Sequence, residues 1–505
     1  MTETAIVESM TPLLAVLCPV AASILILLSA KHPNIRESWT ILAGIAQFLL
    51  IFSMAPAIIG GSIVECTFFT VLPNIDFGFK IDAFGMIFAI IASFLWILVS
   101  SYSIGYMRSL NEHAQTRYYF FFALAIFGAV GISLSGNLFT MFIFYEILTV
   151  STYPLVAHNQ TPEALAAGRK YLAYLITSGV FFLAAVVLTY YYTGTTDFVN
   201  GGIPNLAGVP RTSLIVLFAL FLLGFMKAAW MPFHSWLPTA MAAPTPVSAL
   251  LHAVAVVKAG VFGIVRIVCY VFGMDLMHTL DLAIILACIA SFTIIVANLY
   301  AIGSDNLKKR LAYSTINQLS YIILGVALLT PAGIRGAMLH IPFHAFMKIT
   351  LFMCAGAIMV ITGKRAVSEL SGVGRKMPLT MAAFTIGAMG MCGIPPIAGF
   401  ISKWYLCSGC VQAYETISPV MIVFMFVLLI ASLMDVVYFF PIIYTAFFGK
   451  LEDGEENGWV EKKHLFMIVP LLITSIFAVL LFFYPNTFHI FDLVETAIEN
   501  LFGGR

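Results

Sequence analysis

The sequence predicts an all-α membrane protein of about fourteen transmembrane helices, with two inverted five-helix repeats (helices 4–8 and 9–13) and broken helices 7 and 12. Three observations predict it. The 505-residue chain is 61% hydrophobic and only 10% charged, too apolar for an ordinary soluble domain. Apolar runs of about 20 residues, enough for a helix to cross the hydrocarbon core, recur along most of its length. Two proline-interrupted apolar stretches each carry a lysine, Lys227 in one and Lys403 in the other. Paired interruptions of this kind point to the binding or conduction site of a repeat-built transporter.

The first apolar run, 12–30, follows acidic Glu3 and Glu8 instead of a basic segment, so it reads as a span and not as a cleavable leader. Further spans are predicted over 39–60, 82–107, 117–134, 136–157, 170–192, 211–230, 245–272, 279–302, 311–329, 332–361, 378–409, 418–449 and 464–485. Residues 63–80 (IVECTFFTVLPNIDFGFK) are too polar to span, and their partial alternation predicts a hairpin on one surface. The tail from Pro485 combines Phe488, Ile490, Phe491 and Leu493 with acidic neighbours and reads as a segment lying along an interface. The resulting units are N-terminal helices over 1–116, a first repeat over 117–272, a second over 279–449, and a closing helix with its tail over 450–505.

Loop charges set the orientation. Sixteen lysines and arginines fall in the odd-numbered loops and four in the even-numbered loops and termini. The positive-inside rule then makes the odd loops cytoplasmic (or matrix) and places both termini on the opposite side. The net charge of +1 gives no global field for nucleic acid. The eight cysteines form no paired framework, and the single CxxC at Cys407 and Cys410 reads as incidental.

The remaining basic residues, Lys227, Lys258, Arg266, Lys348 and Lys403, fall inside predicted spans. A charge at the bilayer centre costs about 2.5–3.5 kcal/mol on insertion scales, so pairing, water or function must retain them. Acidic residues there are few: Glu146 in GNLFTMFIFYEILTVSTYP and Asp435 in ASLMDVVYFF, with Asp82 at a helix start and read as interfacial. Glu146 is the expected partner of Lys227. Desolvation disfavours a lysine's charge and a nearby carboxylate restores it, so a movable pair switches between holding and releasing a proton. A static ion pair fastening two helices is the plain alternative.

The stretch after Lys227 holds Pro232, His234 and Pro238, and the next helix carries His252 and Lys258. In GAMLHIPFHAFMKITLFMCAGA, His340, His344 and Lys348 stand at i, i+4 and i+8, on one helical face that Pro342 can disturb. Histidine titrates near neutral pH, and no nearby cysteine or carboxylate completes a ligand set, so this stripe reads as a proton relay with no metal site. Pro395 and Pro396 break the later helix ahead of Lys403. The polar run in YSTINQLSYI either holds water or packs helices.

The segments YEILTVSTYPL, RKYLAYLITSG, KAAWMPFHSWLPTAMAAPTPVSALLHA, DNLKKRLAYSTINQLSYI, HAFMKITLF and GIPPIAGFISKW resemble the antiporter-like subunits of respiratory complex I, of Mrp-type multisubunit cation/proton antiporters and of membrane-bound hydrogenases. The resemblance covers about residues 82–450. It implies that Glu146 pairs with Lys227, that His252 or Lys258 bridges to Lys403, and that His344 and Lys348 form the relay between them. His234, His340 and Asp435 are accessory candidates. One complex I branch has glutamate where this chain has Lys403, and the long lateral C-terminal helix of the distal complex I subunit has no room here. Both departures favour the D-type antiporter component of Mrp systems, or a related hydrogenase or complex I subunit.

The expected function is therefore that of a proton-translocating, antiporter-like subunit of a larger complex in an energy-transducing membrane, the prokaryotic plasma membrane above all. Its partners are other membrane subunits, homologous ones among them, and the bilayer. It carries no cofactor and is not catalytic alone, as a subunit of a translocase of the NADH-quinone oxidoreductase or hydrogenase type. Energy comes from a partner's redox reaction or an opposing cation gradient. The rivals are a stand-alone secondary solute carrier, which needs a polar cavity, and a membrane anchor of a cytoplasmic enzyme.

Overall fold

The computed structural model describes residues 5–450 and 459–503. Glu3, ahead of the first apolar run, and Arg505, counted with the termini, lie outside the described residues. Strand β1 (Ile6–Glu8) leads into α1 (Thr11–Leu28) and α2 (Pro33–Ser53), which continues past Met54 as α3 (Ala55–Ile59). Strands β2 (Ile63–Leu72) and β3 (Ile75–Ile81) form an antiparallel hairpin over the predicted residues. β1 adds a parallel strand, Ile6 opposite Ile63, which the sequence did not predict because three residues show no alternation.

Four long helices follow: α4 (Ala83–Ser109), α5 (Gln115–Leu134), α6 (Leu138–Val156) and α7 (Pro162–Thr193). Polar side chains cap several of them. Asp82 accepts from Gly85 N at 2.8 Å, Asn137 from Thr140 N at 2.8 Å, and Thr161 from Ala164 N at 3.2 Å, with Pro162 at the first helical position. α8 (Arg211–Gly224) ends at the first break, which holds the short α9 (Trp236–Thr239). α10 (Thr245–Ala249), a π-turn at Leu250–Val254, α11 (Val256–Arg266) and a second π-turn at Ile267–Phe272 make one buried rod.

Short α12 (Met274–Thr279) precedes α13 (Leu282–Ile302), α14 (Leu307–Ala327) and α15 (Pro331–Thr362). Pro342 does not break α15, which runs 32 residues through it. After α16 (Val373–Lys376) comes the second interrupted pair, α17 (Pro378–Cys392) and α18 (Gly399–Thr416), separated at Pro395 and Pro396. α19 (Ile422–Phe448), α20 (Leu465–Phe483) and α21 (Ile490–Phe502) close the chain. Among the described residues, eleven helical segments are long and apolar enough to cross a membrane by themselves. α8 and α17 are apolar but shorter, because the breaks cut them.

The rod over Thr245–Phe272 and helix α15 occupy the centre, while Leu28, Val180, Tyr191, Phe292, Leu433 and Phe448 project from the outer helices. The two ends of the bundle collect different loops. At one end lie the hairpin, β1, the 194–210 and 273–281 connections and α21, with Val199 N donating to Tyr270 O at 3.0 Å. At the other end Leu307 N donates to Arg365 O at 3.0 Å and Val460 N to Lys376 O at 3.2 Å. Lys308 Nζ reaches Ala243 O there at 2.6 Å. The loops with the basic excess share this second end.

The tail was expected along an interface. At the hairpin end α21 buries Ile490, Leu493, Val494 and Ala497 against the chain itself, packing on α4 and α15. Arg335 of α15 grips Glu495 at 2.6 and 2.7 Å, and the Phe488 ring sits 4.8 Å from Phe94 and 5.4 Å from Phe477. The amphipathic pattern of the tail is satisfied by protein.

Candidate functional site

A broken helix inside an apolar bundle survives only if its freed carbonyls find donors. Around Lys227 they do. Trp230 Nε1 donates to Leu222 O at 3.1 Å and Trp236 Nε1 to Met226 O at 3.1 Å. Gly224 O accepts from Tyr145 Oη of α6 at 3.0 Å and from Ser178 Oγ of α7 at 2.5 Å. Lys227 itself sits in a 3-10 turn, Met226–Ala228, and is fully buried. Gly260 of α11 lies against this turn; a Cβ there would stand 2.1 Å from Ala228 N, so only glycine admits the approach.

The predicted partner of Lys227 was Glu146. No ion pair joins the two among the described residues. Lys227 Nζ instead donates to the main-chain oxygen of Tyr145, one residue away, at 2.5 Å and lies 3.2 Å from the centre of that residue's ring. Glu146 Oε1 is buried without a hydrogen-bond partner and faces Gly179 of α7, where a Cβ would stand 2.2 Å from it. The carboxylate is thus next to the lysine but loosely held.

The second carboxylate is held tightly. Asp435 of α19 is fully buried and accepts from Lys403 Nζ at 3.2 Å, Asn317 Nδ2 at 2.9 Å, Gln318 Nε2 at 2.9 Å and Tyr438 Oη at 2.5 Å. Lys403 also donates to Ser432 Oγ at 3.0 Å and to Met391 O at 2.6 Å. That oxygen belongs to the last turn of α17, where unpaired carbonyls and the helix dipole favour a cation. The second break therefore positions its lysine between a carboxylate and a helix C-terminus.

From Asp435 a chain of buried polar groups runs toward the middle of the molecule. A carboxylate only accepts, so Asp435 fixes the amide of Gln318 with its nitrogen toward the acid. Gln318 Oε1 then faces His340 Nε2 at 3.1 Å, and that ring nitrogen must carry the hydrogen. His340 Nδ1 meets Ser402 Oγ at 2.8 Å. The next ring, His344, is 5.8 Å away centre to centre, and its Nδ1 is 2.8 Å from Lys258 Nζ. Lys348 donates to Ser314 Oγ at 2.9 Å. Thr315 Oγ1 donates to Leu311 O at 2.9 Å, so His252 Nδ1 donates to Thr315 at 3.0 Å. His252 Nε2 and His344 Nε2 are buried without protein partners.

The structure thus brings together Lys258, His340, His344, Lys403 and Asp435, with Lys348 and His252 held beside them by bonds to α14. Lys227 and Glu146 form a separate group at the first break. His234 joins neither: it is half-buried near Tyr300 and Tyr313, at 6.2 and 6.5 Å between rings. Pro232 lies within the first break, Pro238 within α9, and Pro395 and Pro396 within the second break.

Sequence reasoning missed the polar spine of α14. Ser314, Thr315, Asn317 and Gln318 bond the charged groups one by one, which answers what the YSTINQLSYI run does. It also gave Asp82 no partner. That carboxylate, read as interfacial, caps α4 at the hairpin end, partly exposed, and takes both guanidinium nitrogens of buried Arg266, at 2.5 and 2.7 Å. Phe84, Phe198, Phe262 and Tyr270 surround the guanidinium at 4.6–5.2 Å. Arg266 and Asp82 line a cavity of about 260 Å³ at the hairpin end. Arg266 lies two helical turns from Lys258 on the same helix, and Phe262 fills the turn between them.

Residues 135–433 match the family described as NADH:quinone oxidoreductase/Mrp antiporter, and residues 70–119 match the N-terminal family of complex I chain 5. The chain is 34% identical over 408 residues to NADH-quinone oxidoreductase subunit N of Desulforudis audaxviator, covering 78% of this chain and 79% of that protein. It is 30% identical over 458 residues to a putative antiporter subunit mnhA2 of Staphylococcus aureus, covering 86% of this chain but only 56% of that protein. A chain of the Mrp complex from Dietzia sp. DQ12-45-1b has the same fold, with a TM-score of 0.86 at 23% identity over 98% of this chain and 97% of that one. A chain of a membrane-bound sulfane sulfur reductase, an archaeal respiratory membrane complex, superposes with a TM-score of 0.83 at 25% identity, with 98% of each chain covered.

Proposed function

Because the chain belongs to the NADH:quinone oxidoreductase/Mrp antiporter family, we propose that it is a proton-translocating, antiporter-like subunit of a multisubunit membrane complex, conducting protons through its buried lysines, histidines and carboxylates. The observation that carries this reading is the buried polar line in which Lys258 bonds His344 and, 5.8 Å farther between ring centres, His340 bonds through Gln318 to Asp435 and Lys403. Other membrane subunits of the same complex are its partners, and an energy-transducing membrane is its location.

The two carboxylates take different parts. Glu146, free of hydrogen bonds at Oε1 and beside Lys227, is the movable one; its approach and withdrawal change the lysine's hold on a proton. Asp435, with its four donors, is the fixed one and anchors Lys403 at the end of the line. Between Lys227 and Lys258 the transfer needs water, for which the unpartnered nitrogens of His252 and His344 supply bonding capacity. Coupling energy enters from partner subunits, as a redox reaction or a cation gradient. The two breaks, each beside one lysine, favour residues 117–272 and 279–449 as inverted repeats.

A solute carrier would place a substrate-sized cavity on the charged line. Two cavities of about 260 and 500 Å³ lie at the hairpin end, away from that line, the larger lined by Met274, His278, Thr330 and Gln412. An anchor would have no need of a buried line of lysines, histidines and a carboxylate.

Lys258→Met tests the function. Methionine keeps most of the length and removes the amine and its bond to His344. Proton translocation by the purified, reconstituted complex should fall at least about tenfold, a barrier increase of about 1.4 kcal/mol or more. The partner's driving reaction, measured with an ionophore present, should persist. An unchanged pH gradient in the assembled variant would refute the relay.

For orientation, the basic end faces the cytoplasm or matrix and both termini face away from it. Cysteines placed between Lys364 and Lys376 should react with an impermeant reagent only from the cytoplasmic side, and cysteines at the termini only from the other side. Reaction of both termini from the cytoplasm would reverse the assignment.

A further inference from the structure

Away from the charged line, at the basic end, two turns bring three ligand-type side chains together. The connection from α4 to α5 is tight: Asn111 and Ala114 both take left-handed backbone angles, φ 48° each, and between them Glu112 and His113 point outward. The turn after α6 supplies His158. Arg117 Nη2 donates to the His158 main-chain oxygen at 2.9 Å and fixes that turn. One oxygen of Glu112 and one nitrogen from each histidine all lie within 4.8 Å of one another. The two imidazoles stand 4.8 Å apart centre to centre, and His113 Nδ1 is 3.6 Å from Glu112 Oε2.

The second observation concerns His158 alone. Its side chain is fully buried, and neither ring nitrogen makes a hydrogen bond of good geometry, the main chain of His113 lying close by without completing one. Buried polar atoms in folded proteins are nearly always satisfied, so this ring calls for a ligand. Tyr118 meets it edge-on at 5.7 Å and offers it no hydrogen bond. We propose that Glu112, His113 and His158 form a binding site for a divalent transition-metal ion, zinc in particular.

The chemistry of the set fits. Two histidines and one carboxylate are an established zinc ligand combination, with a fourth position open to water. Ligand atoms bound to one zinc at about 2.0–2.2 Å with tetrahedral angles lie about 3.3–3.6 Å apart. The partly exposed Glu112 and His113 close the remaining distance by turning about their own side-chain bonds, while His158 stays in place. Arg117 puts a cation beside the site and weakens it; the Glu112 carboxylate offsets that charge. A bound ion ties the turn after α4 to the turn after α6, the helix that carries Tyr145 and Glu146. The sequence predicted no metal, because the ligands come singly and in a pair from two separate turns.

The test is zinc binding by the complete purified complex after removal of metals with a chelator, followed by calorimetric titration with Zn²⁺ alone. The unmodified complex should bind one equivalent per copy of this chain that is lost, or weakened at least tenfold, in His158→Gln. The double change Glu112→Gln with His113→Gln, on an exposed turn where folding is not at stake, should lose the same equivalent. His278→Gln, an exposed histidine at the opposite end, should keep it. The same stoichiometry and affinity in all four proteins would overturn the proposal, as would loss in His158→Gln with full retention in the double variant.

Discussion

Replacing Asp435 with leucine is expected to abolish proton translocation and to destabilise the chain by about 3–5 kcal/mol, because it strips a buried charge pair of one partner. Lys403 then keeps only Ser432 Oγ, Met391 O and the face of the Tyr321 ring beside it, and Asn317, Gln318 and Tyr438 each lose an acceptor. Each orphaned donor adds a cost of about 1–3 kcal/mol. Asp435→Asn separates folding from function. Its amide keeps the shape and one acceptor oxygen, so the complex should still assemble. It cannot fix the orientation of Gln318 by charge, however, so the bond from His340 to Gln318 is no longer enforced. Assembly measured on native gels should approach normal, while the pH gradient in vesicles falls at least about tenfold. Assembled Asp435→Asn that pumps normally would make the carboxylate purely structural.

At the first break, Lys227→Ala and Glu146→Gln should each reduce pumping at least about tenfold, and the double variant should be little worse than either, since groups acting as one unit are not additive. The two changes differ in their structural cost. Glu146→Gln breaks no hydrogen bond at Oε1, so insertion and assembly should be unaffected. Lys227→Ala removes a bond to Tyr145 O and a ring contact and leaves a small cavity. Gly179→Ala supplies a control that keeps every charge. Its new methyl group must displace Glu146, so pumping should fall by an intermediate factor with no change in titratable groups. The exposed Lys309→Ala should be silent. The measurement is gradient formation normalised to assembled complex, and normal rates in all of the break variants would leave these residues as packing.

Much of the architecture was legible in the residues, for a simple reason. Length and polarity decide whether a helix spans a membrane, and both can be read one segment at a time. The lysines announced themselves because a charge amid apolar residues is costly. Partnership is different. Arg266 and Asp82 are 184 residues apart, and periodicity says which face each occupies but not which helices will meet. Lys227 had one acidic candidate, and the structure gives it a main-chain oxygen instead, a group present at every position and therefore invisible as a signal. The role of α14 was half legible: its polar run was conspicuous, but its hydrogen-bond partners sit on α15, α19 and the π-turn ahead of α11. The zinc ligands were illegible because a ligand set spread over two turns has no spacing.

The cross-ties at the two ends carry a mechanical meaning. At the hairpin end α21 lies across both halves of the chain, with Arg335 locked to Glu495 and Phe488 wedged among rings from three helices. At the opposite end Lys308 pins the second half to Ala243 of the first. A transporter that rocks one half against the other must open such clamps on every cycle. Here the cheaper degrees of freedom are all internal: a carboxylate with nothing holding one of its oxygens, imidazoles with idle nitrogens, and two gaps in the helices. The molecule is built less like a hinge than like a rigid housing around a wire, in which what moves is charge.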